Sequence, residues 1–198
     1  MESFEYQAGT KVLFGKGQIE HLPEEIGKFG RKVLLCYGGG SIKRNGIYQQ
    51  IYDLLKDCEI YELAGIAPNP RITSVKEGIA LCREHGIDVV LAVGGGSVID
   101  CAKVVAAGVY DDGDPWKMVS ENIQTENALP LVSVLTLAAT GSEYDDGAVI
   151  TNLDTNEKLG YGNPLTMPKV SILDPTYTYT VPAKQTAAGS IDIMSHLL

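Results

Sequence analysis

Basic residues are scarce in this sequence, and their scarcity excludes several classes of protein. The 198 residues include 16 Lys and Arg against 25 Asp and Glu, which gives a formal net charge of −9. No cluster of Lys or Arg interrupts this negative charge, so we expect neither a nucleic-acid partner nor an anionic membrane partner. An anionic small ligand is still compatible with the sequence, because backbone N–H groups can bind it without cationic side chains.

Long apolar runs and paired cysteines are lacking as well. No run approaches the roughly 18 apolar residues that cross a bilayer, and no basic segment precedes an apolar one at the N-terminus. The sequence therefore predicts neither a transmembrane helix nor a signal peptide. The cysteines have no CxxC spacing and most lie in apolar runs, which is typical of free thiols in a reducing cytoplasm; they are Cys36, Cys58, Cys82 and Cys101.

Apolar runs bounded by glycine alternate with amphipathic patterns along the chain. The runs that we predict to be buried strands are 32–37, 59–65, 88–97 and 129–143. The predicted helices are 19–30, 42–57, 72–86, 98–110 and 180–198, and a hairpin is predicted at 4–17, with short strands and turns over 147–175. This alternation indicates an α/β fold with a doubly wound, mostly parallel sheet.

Two copies of Gly-Gly-Gly-Ser, at 38–41 and 94–97, each separate a predicted strand from a predicted helix. At the carboxyl end of a parallel strand, glycines let the backbone approach a phosphate that the helix N-terminus binds. A tight turn with close helix–sheet packing is the alternative for either copy, but two copies favour a nucleotide.

The spacing of these glycines differs from the dinucleotide fingerprint G-x-G-x-x-G. The third glycine of that pattern is replaced by Ile99 in the later turn and by Lys43 in the earlier one. A simple Rossmann dehydrogenase is therefore disfavoured.

Several stretches together resemble the iron-containing alcohol dehydrogenases. They are GGGSVIDCAK (94–103), AATGSE (138–143), NEKLGYG (156–162), SILDP (171–175) and AGSIDIMSH (188–196). The stretch GGGSIKRNGIY (38–48) is similar to the butanol-dehydrogenase-like branch of that family.

The resemblance implies a dehydroquinate-synthase-like nucleotide-binding domain at 1–180, with 181–198 as the start of an all-helical metal-binding domain that is otherwise absent. It also implies roles for particular residues. Gly94, Gly95, Gly96 and Ser97 would hold the pyrophosphate, Asp100 would lie on the nucleotide side of its helix, Thr140 and Ser142 would line the cleft, and Lys158 would reach a ribose. The alternatives are a capping or exposed carboxylate for Asp100 and solvated charges for Lys158 and Lys103.

The earlier turn bears on the choice of cofactor. NAD sites usually offer the adenosine ribose an acidic residue, and none follows the strand 32–37. Amides of Gly38, Gly39 and Gly40, the Ser41 hydroxyl and the cations Lys43 and Arg44 suit a 2′-phosphate. We therefore predict NADP(H) in preference to NAD(H), with solvated helix charges as the alternative for the two cations.

Asp192 and His196 are four residues apart on a predicted helix, so both side chains share one face. Carboxylate and imidazole are ligands for Fe²⁺ or Zn²⁺, and the resemblance implies a divalent ion held by such an Asp and three histidines, two of them from later helices. His21 and His85 are expected at the surface. We therefore expect a fragment that retains nucleotide affinity with little or no turnover.

The function that follows is an NADP(H)-dependent alcohol dehydrogenase or aldehyde reductase, acting on a small alcohol or aldehyde with divalent-metal activation of its oxygen. A nucleotide-binding module without catalysis and a glycerol or polyol-phosphate dehydrogenase are the alternatives. The residues that could border the substrate are Tyr144, Asp145, Tyr161 and Met194, each with packing as the other explanation. A cytoplasmic homodimer is expected.

Overall fold

Eight strands form within residues 9–197, the part of the chain that this computed structural model describes. In chain order they are β1 Lys11–Phe14, β2 Lys32–Tyr37, β3 Glu59–Leu63, β4 Val89–Gly94, β5 Leu131–Leu135, β6 Gly147–Asn152, β7 Glu157–Gly162 and β8 Val170–Leu173. Six of them make one sheet in the order β1-β8-β5-β4-β2-β3, and every neighbouring pair is parallel. The predicted α/β class and parallel sheet are confirmed.

Helices lie between most of these strands. They are α1 Leu22–Gly27, α2 Ser41–Arg44, α3 Ile47–Leu54, α4 Ile72–His85, α5 Gly96–Gly108, α6 Pro115–Ser120 and α7 Ala183–Leu197. The single helix predicted at 42–57 is two helices, because Gly46 adopts φ +84° and breaks the pattern between them. The sequence prediction missed α6, a short helix that Asp114 caps by accepting a hydrogen bond from the Trp116 amide.

The central strands are buried on both faces, as a doubly wound sheet requires. Leu34 and Cys36 of β2 join the apolar core beneath α4 and α5, while Val33 and Leu35 join a second core beneath α1 and α3. Three of the four cysteines are buried and all four are free thiols, in agreement with the sequence prediction.

The amino-terminal hairpin is only partly testable, because the first of its two strands falls outside the described residues. Its second strand, β1, pairs in parallel with β8, from Lys11 opposite Val170 to Phe14 opposite Leu173. The later region of short strands forms the antiparallel hairpin β6–β7, with Gly147 opposite Gly162. No helix within 9–197 has the length and apolarity needed to cross a membrane.

The order of the strands creates a switch point beside β2. The chain leaves β2 for the edge strand β3 and then returns to place β4 on the other side of β2. Helices that follow strands on opposite sides of such a point diverge, which opens a crevice at the carboxyl ends of the strands. The boundary predicted near residue 180 stays a prediction; helix α7 begins just after Pro182.

Candidate nucleotide-binding cleft

A cleft of about 440 Å³ lies at the carboxyl ends of β2, β4 and β5, where the switch point predicts a ligand site. Both glycine turns contribute to its lining. The predicted residues among the lining are Gly38, Gly39, Ser41, Gly94, Gly95, Gly96 and Ser97. Two turns that are more than fifty residues apart in sequence therefore face one space.

Close packing accounts for two glycines of the later turn. A Cβ on Gly94 would lie 2.6 Å from Val98 Cγ2, and a Cβ on Gly96 would lie 2.4 Å from Thr140 Oγ1. Helix α5 begins at Gly96 without a side-chain cap from any described residue. The Val98 and Ile99 amides donate to the Gly95 carbonyl oxygen, which leaves the preceding amides of Gly96 and Ser97 for a ligand. The later glycine turn therefore allows close packing and also offers amides to a ligand, so both explanations of its glycines hold.

The earlier turn relies on Gly40 for its shape. Gly40 adopts φ +90°, a left-handed conformation that favours glycine, and it directs the chain into α2. Gly38 and Gly39 line the cleft beside the exposed Ser41, whereas Gly40 itself is not among the lining residues. The turn therefore presents backbone and one hydroxyl to the cleft.

Asp100 holds neighbouring protein groups and is not among the residues that line the cleft. Its Oδ1 accepts a hydrogen bond from Ser142 Oγ at 2.6 Å, and its Oδ2 accepts one from the Val149 amide at 3.0 Å. Burial raises the pKa of Asp100, although these hydrogen bonds oppose the rise. Asp100 and Ser142 thus anchor the segment that follows β5 onto α5. The Asp100 carboxylate is therefore neither exposed nor a helix cap, the two alternatives considered above.

Lys158 is exposed and does not line the cleft, but Asn69 links it to the lining residue Ser97. The Lys158 Nζ donates to Asn69 Oδ1 at 2.7 Å, and the backbone N–H of Asn69 donates to Ser97 Oγ at 3.2 Å. Asn69 has φ +54°, which aims its amide at the start of α5. This relay connects the β6–β7 hairpin to the later glycine turn, so Lys158 is more than an isolated surface charge.

Thr140 and Ser142, which the resemblance places in the cleft, are not among the residues that line it, and Thr140 borders a separate hollow beside α7. This hollow, of about 330 Å³, is bordered by Thr140, Glu143, Ile193 and Leu197 together with Ala138, Ala139 and Gly141. The Cβ position of Gly189 lies 3.2 Å from the Ala138 carbonyl oxygen, so α7 packs directly on this segment. Thr140 is therefore next to the helix that carries the predicted metal ligands.

Asp192 is exposed on α7, and His196 lies one turn further along the same helix. Among the side chains that the structure describes, no three His, Cys, Asp or Glu groups are close enough together to hold a metal ion. The described residues therefore contain no complete metal site, and the pair Asp192–His196 stays a prediction.

The far wall of the cleft was not predicted. It comes from the residues after β5 and after β8, namely Thr136, Leu137, Tyr177, Thr180, Val181, Pro182 and Gln185. The only sequence signal that these residues line the cleft was that they follow strands. The sequence did not show that β8 lies beside β5, because that depends on the strand order.

An acidic side chain near the earlier turn was also missed. Glu62 of β3 lies 4.0 Å from the Lys43 ammonium, although no acid follows β2 in sequence. Parallel pairing of β2 with β3 sets Glu62 opposite Leu35 and so close to that turn.

The four residues considered for a substrate pocket differ in burial and in their contacts. Asp145 accepts a hydrogen bond from Lys103, and Tyr161 is buried beside Asn163. Tyr144 and Met194 are exposed, at 39% and 60%.

The sequence model for iron-containing alcohol dehydrogenases matches residues 9–175. NADH-dependent butanol dehydrogenase A of Clostridium acetobutylicum is 61% identical to 99% of this chain, which spans 51% of that protein. The NADPH-dependent aldehyde reductase YqhD of Escherichia coli is 41% identical over 99% of this chain and 51% of its own length.

Solved structures agree with these matches. The crystal structure of NADH-dependent butanol dehydrogenase A from Thermotoga maritima superposes with a TM-score of 0.94 at 47% identity, covering 99% of this chain and 50% of that one. The chain thus spans about half the length of the relatives it matches.

Proposed function

Because this chain belongs to the iron-containing alcohol dehydrogenase family, we propose that it is the cofactor-binding half of an NADP(H)-dependent alcohol dehydrogenase or aldehyde reductase. The observation that carries the proposal is the single cleft at the strand switch point, lined by both glycine turns. A dinucleotide has two ends and a central pyrophosphate, and two separate turns on one cleft suit such a ligand.

Within this proposal the later turn holds the pyrophosphate. Uncapped amides at the start of the thirteen-residue helix α5 supply hydrogen-bond donors and a favourable helix dipole. Ser97 and the Lys158–Asn69 relay stand beside those amides. The packing of Gly94 on Val98 keeps this turn in one conformation, so the donors are arranged before the ligand arrives.

The earlier turn would receive the adenosine ribose. The named cofactors of the relatives are divided. Those at 61% and 57% identity are named NADH-dependent, those at 56% and 54% are named "Probable NADH-dependent", and the one at 41% is named NADPH-dependent. Exposed Ser41, Lys43 and Arg44 support a 2′-phosphate, so we assign NADP(H).

The nicotinamide end would lie toward Thr140 and α7. There the predicted pair Asp192 and His196 would supply two ligands for Fe²⁺ or Zn²⁺, while the described side chains hold no complete set. Such an ion supplies Lewis-acid activation of an alcohol or carbonyl oxygen. The chain's own contribution is to orient the cofactor and to hold the Thr140 segment through Asp100 and Ser142.

Titration of the chain with NADPH and NADH, followed by nicotinamide fluorescence, tests this function. We expect saturable binding of both, with the tighter binding for NADPH, and little aldehyde reduction when Fe²⁺ or Zn²⁺ is added. Failure of either nucleotide to bind would overturn the proposal, and tighter binding of NADH would overturn the NADP(H) assignment.

A cytoplasmic homodimer belongs to the same proposal. The three buried free thiols suit a reducing compartment. Among the described residues β1 lies at the edge of the sheet and exposes Val12 and Phe14, at 41% and 70%, which suits packing against a second copy. Light scattering of the purified protein would measure the dimer directly, and a monomeric mass would contradict it.

A further inference from the structure

Three tyrosine hydroxyls converge on one carboxylate beside the earlier glycine turn. Tyr37, Tyr48 and Tyr52 each donate a hydrogen bond to Glu62, and each distance is 2.5 Å. Tyr37 ends β2 directly before Gly38, and Tyr48 and Tyr52 are one turn apart on α3.

This arrangement keeps Glu62 negatively charged. Burial raises the pKa of Glu62, but the three tyrosine hydrogen bonds outweigh it and leave the pKa below its ordinary value. Glu62 is 27% exposed, so solvent screens this charge only in part. A lasting negative charge therefore lies 4.0 Å from the ammonium of Lys43, on the helix that follows the turn proposed to bind the ribose.

Lys43 is the cation that this charge holds. Its Nζ lies 4.0 Å from Glu62 Oε2, 4.4 Å from the Tyr48 ring centre and 5.1 Å from that of Tyr37. Carboxylate and ring faces both attract the ammonium. Lys43 itself does not line the cleft, but Ser41 and Asn45, two residues to either side of it, do. The half-exposed ammonium therefore lies at the Glu62 cluster, next to the turn that borders the cleft.

We propose that Glu62 is a positioning residue that sets cofactor specificity: by holding Lys43 it limits how strongly the earlier turn favours a ribose 2′-phosphate. The inference rests on the proposed nucleotide function and concerns one end of that site. A 2′-phosphate adds about two negative charges, so it competes with Glu62 for the ammonium of Lys43. NADH lacks this group and is nearly indifferent to both residues.

The test is the ratio of NADPH to NADH affinity in Glu62→Gln, which removes the charge and keeps the shape. We expect NADPH to bind about five-fold more tightly and NADH to change less than about two-fold, as a single partly screened charge implies. The fragments 2′,5′-ADP and 5′-AMP, which differ only in the 2′-phosphate, can be tested as competitors of the nucleotides. In Glu62→Gln the affinity of 2′,5′-ADP should rise, as for NADPH, and that of 5′-AMP should change little, as for NADH. An unchanged ratio would overturn the inference while leaving the proposed function intact, whereas absence of binding would overturn both.

Two further variants separate specificity from structural damage. Tyr52→Phe removes one hydrogen bond to Glu62 without changing any charge, so it should lower the melting temperature and leave the ratio unchanged. Lys43→Gln should weaken NADPH several-fold, and Glu62→Gln should lose most of its effect in that background. A ratio shift in Tyr52→Phe equal to that in Glu62→Gln, or a full Glu62→Gln effect without Lys43, would contradict the inference. If Glu62→Gln fails to fold, Lys43→Gln alone decides, because Lys43 is half exposed.

Discussion

The ammonium of Lys103 lies 2.6 Å from Asp145 Oδ1 although the Lys103 side chain is completely buried. It also donates to the Gly147 carbonyl oxygen at 2.7 Å. A buried charge is tolerated only when it is paired and hydrogen-bonded, and these two acceptors meet that need. Helix α5 is thereby tied to the start of β6 by a side chain that an amphipathic pattern would have placed at the surface.

Replacing Lys103 tests how much these hydrogen bonds between α5 and the start of β6 contribute to stability. Lys103→Met keeps most of the apolar stem but leaves the Gly147 carbonyl without its donor, so we expect a loss of about 1–3 kcal/mol in the free energy of unfolding. Urea denaturation measures this loss. Lys117→Met is the control, because Lys117 is 62% exposed and its ion pair with Glu121 should contribute less than about 1 kcal/mol. Equal losses in the two variants would contradict the prediction.

The glycines that line the cleft are not equivalent. Gly94→Ala places a Cβ 2.6 Å from Val98 Cγ2 and 2.8 Å from Val98 Cβ, whereas Gly39→Ala meets nothing within 4 Å. We expect Gly94→Ala to cost about 1–3 kcal/mol of stability through overpacking and Gly39→Ala to be nearly neutral. Thermal unfolding distinguishes them, and adding Val98→Ala should recover part of the loss in Gly94→Ala. A neutral Gly94→Ala would show that α5 can shift away from the turn.

Glu25 gives a prediction about pH. Burial raises its pKa, but hydrogen bonds from Lys11 at 2.5 Å and Lys28 at 2.7 Å outweigh burial and leave the pKa below the ordinary 4.5. A lowered pKa means that the stabilisation is present above pH 4.5 and is lost as the pH falls through the folded-state pKa. Glu25→Gln should therefore be less stable than the wild type at pH 7 by about 1–3 kcal/mol.

The difference in unfolding free energy between the wild type and Glu25→Gln should narrow steadily as the pH is lowered below 4.5, the ordinary pKa of glutamate. Urea denaturation at pH 7, 5 and 3 measures the gap. A gap that stays constant would show that the ion pairs of Glu25 contribute nothing and that the loss comes from packing.

The Lys158–Asn69 relay gives a prediction about binding. Asn69→Gly allows the left-handed φ of +54° but removes the acceptor of Lys158, so NADPH should bind about three- to ten-fold more weakly. Asn156→Gly changes another asparagine at φ +54° and should leave the affinity unchanged. Fluorescence titration compares the two, and equal affinities would exclude a role for the relay in nucleotide binding.

Local patterns predicted most strands because a buried parallel strand is a short apolar run with glycine at its end. Local patterns failed where the sequence signal was weak and tertiary contacts determined the structure. Helix α6 has only six residues, and the break at Gly46 depends on one left-handed glycine inside an amphipathic pattern. Asp100 and Lys103 were visible as polar residues on α5, but their partners Ser142 and Asp145 are both 42 residues away.

The amino-acid sequence alone determined the fold class and the two glycine turns, because hydrophobic periodicity and glycine spacing are properties of neighbouring residues. It also identified the family, through motifs that are each continuous in sequence. Only the tertiary structure decided that both turns face one cleft and that Glu62 of β3 meets Lys43 of α2. Those relationships depend on strand order and register, which bring together side chains from different segments, and no local pattern encodes the order of strands in a sheet.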